Sequence, residues 1–483
     1  MGLIIMKWIG LNALLLLLLL VKNGASESII KTLPGYSGIL PFKLETGYIG
    51  VGENDEVQLF YYFAESQNNP NTDPLLIWYT GGPGCTGLFS LIYESGPFTF
   101  DVANFDGSLP SILLNPYSWT KVANIIFLDL PVGTAFSYAT TSRGYSSSDT
   151  KSAKDSYTFL RKWLLNHPTF IKNPLYVAGE SYGGKLIPMV AMEILQGIIF
   201  SHKYNILHVN DRVPCKLKQG YIIGNGETVI ISDYNSRIPY LHRMALISDE
   251  YFESAKTSCN ENYYNHDPNN AQCLYALQQI EKCTENINLV HILEPNCEKF
   301  KASKPDDFGW DQSFSEDASV DHLILPTSRQ DRQWCREHNY ISCDVWANDP
   351  TVQEALHIRM GTIKDWKRCN LNISYEQNVE SVLQYHEIFS KKGYEVLIFS
   401  GDHDMACPYV GTLKWIRMLN LTVEDNWRPW NVDGQVAGYT EKYKNNDFNL
   451  TFATVKGAGH TCAEYKPKEC LAMLQRWISR RSL

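Results

Sequence analysis

Short apolar segments that alternate with helical patterns constrain the fold of this chain most strongly. Residues 75–79, 125–128, 175–178, 221–223, 396–399 and 452–455 are apolar runs bounded by Pro, Gly or polar residues, which predicts buried strands. Ala153, Tyr157, Leu160 and Leu164 share one face of a predicted helix between two of these strands. A last helix is expected to begin at Pro467 and to bury Leu471, Leu474 and Ile478. The alternation predicts an α/β fold around a mostly parallel sheet.

Length and composition exclude several classes of protein. The chain has 483 residues, of which 44% are hydrophobic and 20% charged, so it can bury a sizeable core. Collagen, wholesale disorder and a polytopic membrane protein are excluded by this composition. The formal net charge of −9 disfavours a nucleic-acid-binding chain, which would be basic.

The first 25 residues are typical of a secretory signal peptide. Lys7 precedes an apolar run over residues 8–21, and the small residues Gly24, Ala25 and Ser26 follow it. The run is shorter than the roughly 20 residues that a membrane-spanning helix needs. We therefore expect a soluble protein of the secretory pathway, in the vacuole or outside the cell.

The cysteines and the sequons agree with that compartment. All 12 cysteines lie beyond the leader, and an even number in an oxidising compartment favours disulfides. No C-x-x-C pair and no H-E-x-x-H motif occurs, so no metal site is expected. Asn372, Asn420 and Asn449 begin N-x-[ST] sequons and are predicted glycosylation sites.

The pattern of elements changes between residues 227 and 345. This region is helical and rich in cysteine, with an acidic, Ser-containing stretch around residues 301–321. We interpret it as a cap inserted into one core, which residues 26–226 and 346–483 would form.

The most informative motif is the G-x-S-x-G at residues 179–183. It follows the predicted strand 175–178 directly and precedes a helical stretch, which is the context of a nucleophile elbow. Flanking glycines allow the tight turn that would project the hydroxyl of Ser181 above the sheet.

Downstream residues supply a general base and an acid for Ser181. Asp402, His403 and Asp404 follow the strand near 396–399, and His460 follows the last predicted strand. The order Ser, Asp, His is that of α/β hydrolases, whose triad members lie on loops after strands. We favour Asp404 over Asp402 as the acid. We prefer His460 to His403 as the base, because His403 lies beside the acid that would have to orient it.

The glycine-rich turn at residues 80–85 is the expected source of an oxyanion hole. A tetrahedral oxyanion needs backbone N–H donors, and we expect these to be the amides of Gly82 and Tyr182. A phosphate-binding loop is the alternative, but the turn has neither G-K-[ST] nor G-x-G-x-x-G.

Together these motifs resemble those of plant serine carboxypeptidase-like proteins over nearly all of the chain beyond the leader. The segments that carry the resemblance are 81–85 (GGPGC), 114–119 (LNPYSW), 133–138 (GTAFSY), 179–183 (GESYG), 235–239 (NSRIP) and 432–439 (VDGQVAGY). The resemblance implies an α/β-hydrolase fold with a helical, disulfide-bearing cap. It also implies the triad Ser181, Asp404 and His460, with no metal or organic cofactor.

The resemblance further implies a set of disulfides. It pairs Cys85 with Cys335, which would tie the glycine-rich turn to the return from the cap into the core. Within the cap it pairs Cys259 with Cys273 and Cys283 with Cys297. The sequence by itself allows many other pairings.

Two activities occur among proteins of this kind. Peptidase members recognise a substrate carboxylate with an asparagine just before the Gly-Gly-Pro turn and with two glutamic acids. Glu94 and Glu180 match the acidic pair, whereas Thr80, beside Gly81, stands in place of the asparagine. A buried anion without its hydrogen bonds is costly, so this site is weakened for a carboxylate.

Segments 401–405 and 427–439 resemble the acyltransferase branch, which moves an acyl group from a 1-O-β-glucose ester to an alcohol or amine. We therefore predict such an acyltransferase, with Thr80, Gly81, Glu94 and Glu180 binding substrate. A serine carboxypeptidase is the alternative, and a non-catalytic binding protein is a third reading. Two segments depart from the acyltransferase pattern and leave the donor and acceptor open. Segment 183–185 (GGK) stands where Ser-Gly and an apolar residue are more usual, and segment 224–226 (GNG) lacks a commoner proline.

Overall fold

The computed structural model describes residues 26–204, 220–297 and 335–483. The predicted signal peptide and the acidic stretch at 301–321 lie outside these ranges. The strands are β1 Ser26–Ile30, β2 Leu44–Val51, β3 Val57–Ala64, β4 Leu75–Tyr79, β5 Phe98–Phe100, β6 Ile112–Leu114, β7 Asn124–Leu128, β8 Tyr138–Ala139, β9 Ser147–Ser148, β10 Leu175–Glu180, β11 Gly220–Gly224, β12 Tyr375–Glu376, β13 Glu395–Gly401, β14 Thr422–Val432, β15 Gln435–Asn445 and β16 Phe448–Val455. The helices are α1 Gly87–Tyr93, α2 Asp149–Asn166, α3 Gly183–Tyr204, α4 Ile230–Asn235, α5 Arg237–Arg243, α6 Asp249–Ser258, α7 Ala271–Thr284, α8 Glu337–Asn348, α9 Pro350–Ala355, α10 Leu383–Phe389, α11 Tyr409–Met418, α12 Cys462–Tyr465 and α13 Pro467–Ile478.

Within the described residues a 12-stranded sheet organises the fold, in the order β1-β2-β3-β7-β4-β10-β11-β13-β16-β15-β14 with β8 paired to β3. Strands β7, β4, β10, β11, β13 and β16 are parallel neighbours, and antiparallel strands extend both edges. All six predicted strands lie in the parallel centre, so that prediction is confirmed. The antiparallel edges were not predicted. Edge strand β14, for example, exposes most of its residues and therefore has no continuous apolar run.

The central strands are apolar throughout because both faces of the sheet are covered. Every residue of β4 is buried, and the side chains of Ile77 and Tyr79 enter one hydrophobic cluster while that of Trp78 enters the other. This division follows from the two-residue period of a strand. The sheet is thus sandwiched between two layers of packed side chains.

The two predicted helices are present. Helix α2 is N-capped by Ser148, and it buries Ala153, Leu160 and Leu164 against the sheet, with Tyr157 partly buried. Helix α13 begins at Pro467 as expected and buries Leu474, while Leu471 and Ile478 are partly buried. The helical periodicity therefore identified the buried faces correctly.

Helices α4 to α7 occupy the described part of the predicted cap. Their buried side chains, such as Tyr240, Ala255 and Ile280, form a hydrophobic cluster distinct from the two on the sheet. The predicted cap end at residue 345 falls within helix α8, whose Trp346 packs in a sheet cluster. The boundaries of the cap remain a prediction.

One of the three implied disulfides is present and two are wrong. Cys259 is bonded to Cys273, which joins α6 to α7. Cys85 is bonded to Cys369, 284 residues away, and Cys335 is bonded to Cys297.

The positions of the cysteines in the fold explain why the two disulfide predictions are wrong. Cys85 and Cys369 form an antiparallel β-bridge, and the amide of Thr86 donates to the carbonyl of Arg368 at 2.9 Å. The glycine-rich turn is therefore tied to the second core segment, and Cys335 is bonded to Cys297 instead. Cys283 is exposed on α7 and unpaired, so it does not take Cys297.

Not every cysteine is oxidised. Within the described ranges five are unpaired, namely Cys283, Cys343, Cys407, Cys462 and Cys470. Cys215 lies outside those ranges. The described residues contain no helix long and apolar enough to cross a membrane, and they contain no group of three side chains suited to hold a metal ion.

Candidate active site

Ser181 lies in a sharp turn between β10 and α3. Its φ of 57° falls in the left-handed region, which is strained for a residue with a Cβ. A Cβ on Gly179 would lie 2.2 Å from the carbonyl oxygen of Tyr79, and one on Gly183 would lie 2.9 Å from it. Both glycines are therefore required for the turn to pass so close to β4.

His460 and Asp404 meet Ser181 at the carboxyl edge of the sheet. His460 follows β16, and its Nε2 lies 2.8 Å from the Oγ of Ser181. Its Nδ1 lies 2.8 Å from Oδ2 of Asp404, which follows β13 and is fully buried. The contacts connect the hydroxyl to the imidazole and the imidazole to the carboxylate, which suits proton transfer from Ser181 to His460.

The electrostatics of His460 suit a general base. Burial disfavours the imidazolium, but the charge of Asp404 and its hydrogen bond outweigh burial and raise the pKa of His460. The nearby carboxyl of Glu94 acts in the same direction, whereas Arg237 opposes it.

Asp402 and His403 pair with each other instead. The Nδ1 of His403 lies 2.5 Å from Oδ1 of Asp402, which also accepts a 2.7 Å hydrogen bond from the amide of Gly457. The structure thus brings Asp404, and not Asp402, to His460. The imidazole of His403 is instead paired with the residue that precedes it in the sequence.

Asn225 is a residue of this site that the sequence reasoning missed. It follows β11 directly and donates a 2.6 Å hydrogen bond from its side-chain amide to Oδ2 of Asp404. Its Oδ1 accepts from the amide of Gly401 at 3.1 Å, which fixes the orientation of the side chain. A polar residue immediately after a parallel strand was the available signal, because ligand and catalytic groups gather at that edge.

The glycine-rich turn packs directly on the nucleophile. A Cβ on Gly81 would lie 2.6 Å from Oγ of Ser181 and 3.1 Å from the amide nitrogen of Tyr182. In the part of the chain that the structure describes, the amides of Gly82 and Tyr182 have no backbone acceptor. Among the described residues, neither predicted oxyanion donor is therefore engaged by a backbone carbonyl, and Tyr182 directly follows Ser181.

Glu94 and Glu180 form a buried acidic pair, and Glu180 immediately precedes Ser181. They are 1% and 4% exposed, and neither carboxyl oxygen of Glu94 has a hydrogen-bond partner among the described residues. Burial raises the pKa of Glu94, and burial together with the Glu94 charge raises that of Glu180. At least one of the two carboxyls is therefore protonated in acid.

Thr80 is buried, and its hydroxyl is engaged by another side chain. Its hydroxyl lies 2.8 Å from that of Ser90, which also accepts a 2.9 Å hydrogen bond from the indole of Trp78. The predicted substrate residues Thr80, Glu94 and Glu180 are all buried near the turn. Their role in binding stays a prediction.

The predicted glycosylation sites are distributed over the surface. Asn372 and Asn420 are exposed, whereas Asn449 is half-buried in β16. Attachment of glycans stays a prediction.

The parallel sheet, the strained serine turn and the loops after β13 and β16 define an α/β-hydrolase fold. The crystal structure of Kex1, a prohormone-processing carboxypeptidase from Saccharomyces cerevisiae, has the same fold. It aligns with a TM-score of 0.69 over 94% of this chain and 95% of its own, at 19% sequence identity.

Sequence comparison identifies the family. Residues 34–480 match the model of the serine carboxypeptidase family, peptidase S10. Serine carboxypeptidase-like 10 of Arabidopsis thaliana is 45% identical, covering 98% of this chain and 99% of its own length. Serine carboxypeptidase-like 8 of the same plant is 46% identical over 97% of this chain and 98% of its own. The chain therefore belongs to the serine carboxypeptidase family and is similar to its plant carboxypeptidase-like members.

Proposed function

We propose that this protein is an acyltransferase that moves an acyl group from a 1-O-β-glucose ester to an alcohol or amine acceptor. Ser181 is the nucleophile, His460 the general base and acid, and Asp404 the group that orients His460. The amides of Gly82 and Tyr182 hold the oxyanion. The 2.8 Å contacts of His460 with Ser181 and with Asp404 support these roles.

The reaction has two half-reactions. Oγ of Ser181 attacks the ester carbonyl carbon while its proton moves to Nε2 of His460. The tetrahedral intermediate collapses, the bond to the glucose oxygen breaks, and His460 returns the proton to the departing sugar. The acceptor then loses its proton to His460, attacks the acyl-serine and releases Ser181 with its proton restored.

The observation that favours transfer over peptide cleavage is the environment of Thr80. Peptidases of this kind place an asparagine amide there to hold a substrate carboxylate, but Thr80 has only a hydroxyl, engaged by Ser90 at 2.8 Å. A peptide carboxylate at this site would meet two buried carboxyls without that amide donor, which is costly. A neutral sugar brings no charge to this site and therefore avoids that free-energy cost.

The acidic pair suits a glucose ester. The raised pKa values keep Glu94 and Glu180 partly protonated in acid. A carboxyl group in either state accepts hydrogen bonds from sugar hydroxyls, and a protonated one also donates. The carboxyl oxygens of Glu94 are buried without a hydrogen-bond partner among the described residues, and we propose that sugar hydroxyls supply one.

A serine carboxypeptidase is the second candidate. The acidic pair itself favours it, because two neighbouring carboxyls that share a proton can hold a substrate carboxylate in acid. The same Ser181 chemistry would serve, with water resolving the acyl-enzyme in place of an acceptor.

One experiment separates the candidates. Purified protein is incubated with a panel of glucose esters, with and without candidate alcohols and amines, and both the transfer product and free acid are measured. A blocked dipeptide is assayed in parallel. We expect acceptor-dependent transfer. Efficient release of a C-terminal amino acid, without transfer from any glucose ester, would overturn the proposal in favour of the carboxypeptidase.

We also propose that the protein resides in the secretory pathway, in the vacuole or outside the cell. The three disulfides support an oxidising compartment, and the exposed sequons at Asn372 and Asn420 are accessible to glycosylation. Mobility shift after enzymatic deglycosylation of the plant-expressed protein tests this proposal. An unglycosylated protein would contradict it.

A further inference from the structure

A segment of the predicted cap runs across the two loops that carry Asp404 and His460. We call residues Leu289 to Ile292 the strap. The amide of Met405 donates to the carbonyl of Leu289 at 3.0 Å, and the amide of Ile292 donates to the carbonyl of His403 at 3.0 Å. The strap is thus hydrogen-bonded to the residues on both sides of Asp404.

The same strap contacts His460 directly. The amide of His460 donates to the carbonyl of Val290 at 2.8 Å. A Cβ on Gly459 would lie 2.4 Å from that carbonyl oxygen and 2.8 Å from the ring of His291, so only glycine permits this approach. The ring of His291 also stacks on that of His403, with centroids 5.6 Å apart.

Arg336 connects the end of the strap to the helix that follows His460. Its guanidinium binds the carboxylate of Glu294 at distances from 2.5 to 3.1 Å and reaches Glu464 at 3.4 Å. Glu464 lies on α12 and accepts a 2.7 Å hydrogen bond from the hydroxyl of Thr461, the residue after His460. Glu294 follows the strap by two residues, so Arg336 closes a ring of contacts around the histidine loop.

We infer that the strap is a positioning element for catalysis and that Arg336 is the positioning residue that holds it against the loops of Asp404 and His460. The inference rests on the catalytic roles given to those two residues under the proposed function. It adds a part of the cap to the machinery that sets the geometry between His460 and Ser181.

The physical reason is that both loops depend on the strap for backbone partners. Without its anchor at Glu294, the strap can move away from the amides of Met405 and His460. A shift of about 1 Å in a reacting group costs up to about 100-fold in rate. The substrate pocket need not change, so the loss should appear in kcat and not in KM.

The test uses Arg336→Met, with Arg368→Met as the matched control. Arg368 is a nearby cation that lies over the rings of Phe89 and Tyr340, and among the described residues its side chain makes no hydrogen bond or ion pair with the strap. Two measurements that need no glucose ester are made on each full-length variant: hydrolysis of p-nitrophenyl acetate, and the rate at which phenylmethanesulfonyl fluoride labels Ser181.

We expect Arg336→Met to reduce kcat and the labelling rate together by roughly 10- to 100-fold, with KM changed less than about threefold. Arg336→Lys should recover part of the loss, because a single ammonium replaces the bidentate contact. Arg368→Met should retain wild-type rates. Equal kcat and labelling in Arg336→Met and wild type would overturn the inference.

The pH profile distinguishes positioning from loss of charge. The charged groups that interact with His460 include Asp404, Glu94, Glu227 and Arg237. Loss of alignment with Asp404 lowers the pKa of His460 and moves the acid limb of kcat/KM to lower pH. Removal of the Arg336 charge without loss of alignment would leave the limb in place or move it to higher pH, so an unshifted limb or an upward shift would contradict the inference.

A second variant covers the case in which Arg336→Met does not fold. Glu294→Gln keeps the contact between Arg336 and Glu464 but weakens the anchor of the strap, and we expect a loss of about 3- to 10-fold in kcat. Folding of each variant is checked by its thermal transition. If the wild type itself is not labelled at Ser181, the proposed function fails. If the wild type is labelled and the variants are labelled and turn over at the same rates, the strap inference alone fails.

Discussion

The side-chain amide of Asn225 lies 2.6 Å from the carboxylate of Asp404. The same carboxylate accepts from the amide of Ala406 at 2.8 Å and faces Nδ1 of His460 at 2.8 Å. Backbone and side-chain donors therefore fix the position of the Asp404 side chain inside a buried site. A buried carboxylate so arranged can stabilise an imidazolium on His460 without moving during the reaction.

Substitution of the nucleophile or the base should abolish turnover. We expect Ser181→Ala and His460→Ala each to lose most activity, and the double variant to lose little more, because the triad acts as a unit. Both variants should keep the thermal transition of the wild type. Steady-state rates with a glucose ester and an acceptor test this, and near-normal turnover by either variant would refute the assignment.

The two neighbouring aspartates should respond differently. Asp404→Asn is expected to cost up to about 10⁴-fold in kcat, because the amide misorients His460. Loss of the carboxylate charge also lowers the raised pKa of His460, so the acid limb of kcat/KM should move to lower pH. Asp402→Asn is the matched control and should cost much less. A larger loss in Asp402→Asn would make Asp402 the acid.

Variants of the predicted substrate site should distinguish acyl transfer from peptide cleavage. Thr80→Asn should leave cleavage of a blocked dipeptide negligible or only slightly raised, and Thr80→Ser, which retains a hydroxyl for Ser90, is its control. Glu180→Gln should lower kcat/KM for the glucose ester by about 10-fold, because one of the two carboxyl oxygens that accept hydrogen bonds from the sugar is lost. Unchanged use of the glucose ester in Glu180→Gln would remove Glu180 from the donor site.

Stability should depend on pH through Glu94. Burial raises the pKa of Glu94 from its ordinary 4.5 to about 7, so the folded state binds more protons than the unfolded state between these values. The free energy of unfolding should therefore fall as pH rises from about 4.5 to 7. Glu94→Gln should reduce this loss by roughly 1–3 kcal/mol. Urea denaturation at pH 4.5 and 7.5 measures it, with the exposed Glu376→Gln as control. An unchanged pH dependence in Glu94→Gln would argue against a buried, protonated Glu94.

Thiol mapping should reproduce the disulfides of the structure. Alkylation in denaturant before reduction should label Cys283, Cys343, Cys407, Cys462 and Cys470, and the six bonded cysteines should be labelled only after reduction. Reduction should lower stability by about 2–5 kcal/mol for each disulfide lost. Alkylation of Cys369 before reduction would contradict its bond to Cys85.

The sequence by itself determined the parallel centre of the sheet. Burial on both faces requires continuous apolar strands, and that requirement is local, so six short segments could be identified without knowledge of their neighbours. It also placed Ser181, Asp404 and His460 after strands, because the glycines and the order of motifs lie within a few residues of each strand end.

Only the tertiary structure decided which distant groups meet. Cys85 takes Cys369 and not Cys335, because a backbone β-bridge forms across 284 residues. His460 turns to Asp404 and not to Asp402, because Asn225 and the paired His403 fix the two carboxylates in different directions. Such contacts depend on the path of the whole chain, and neither periodicity nor motif spacing encodes that path.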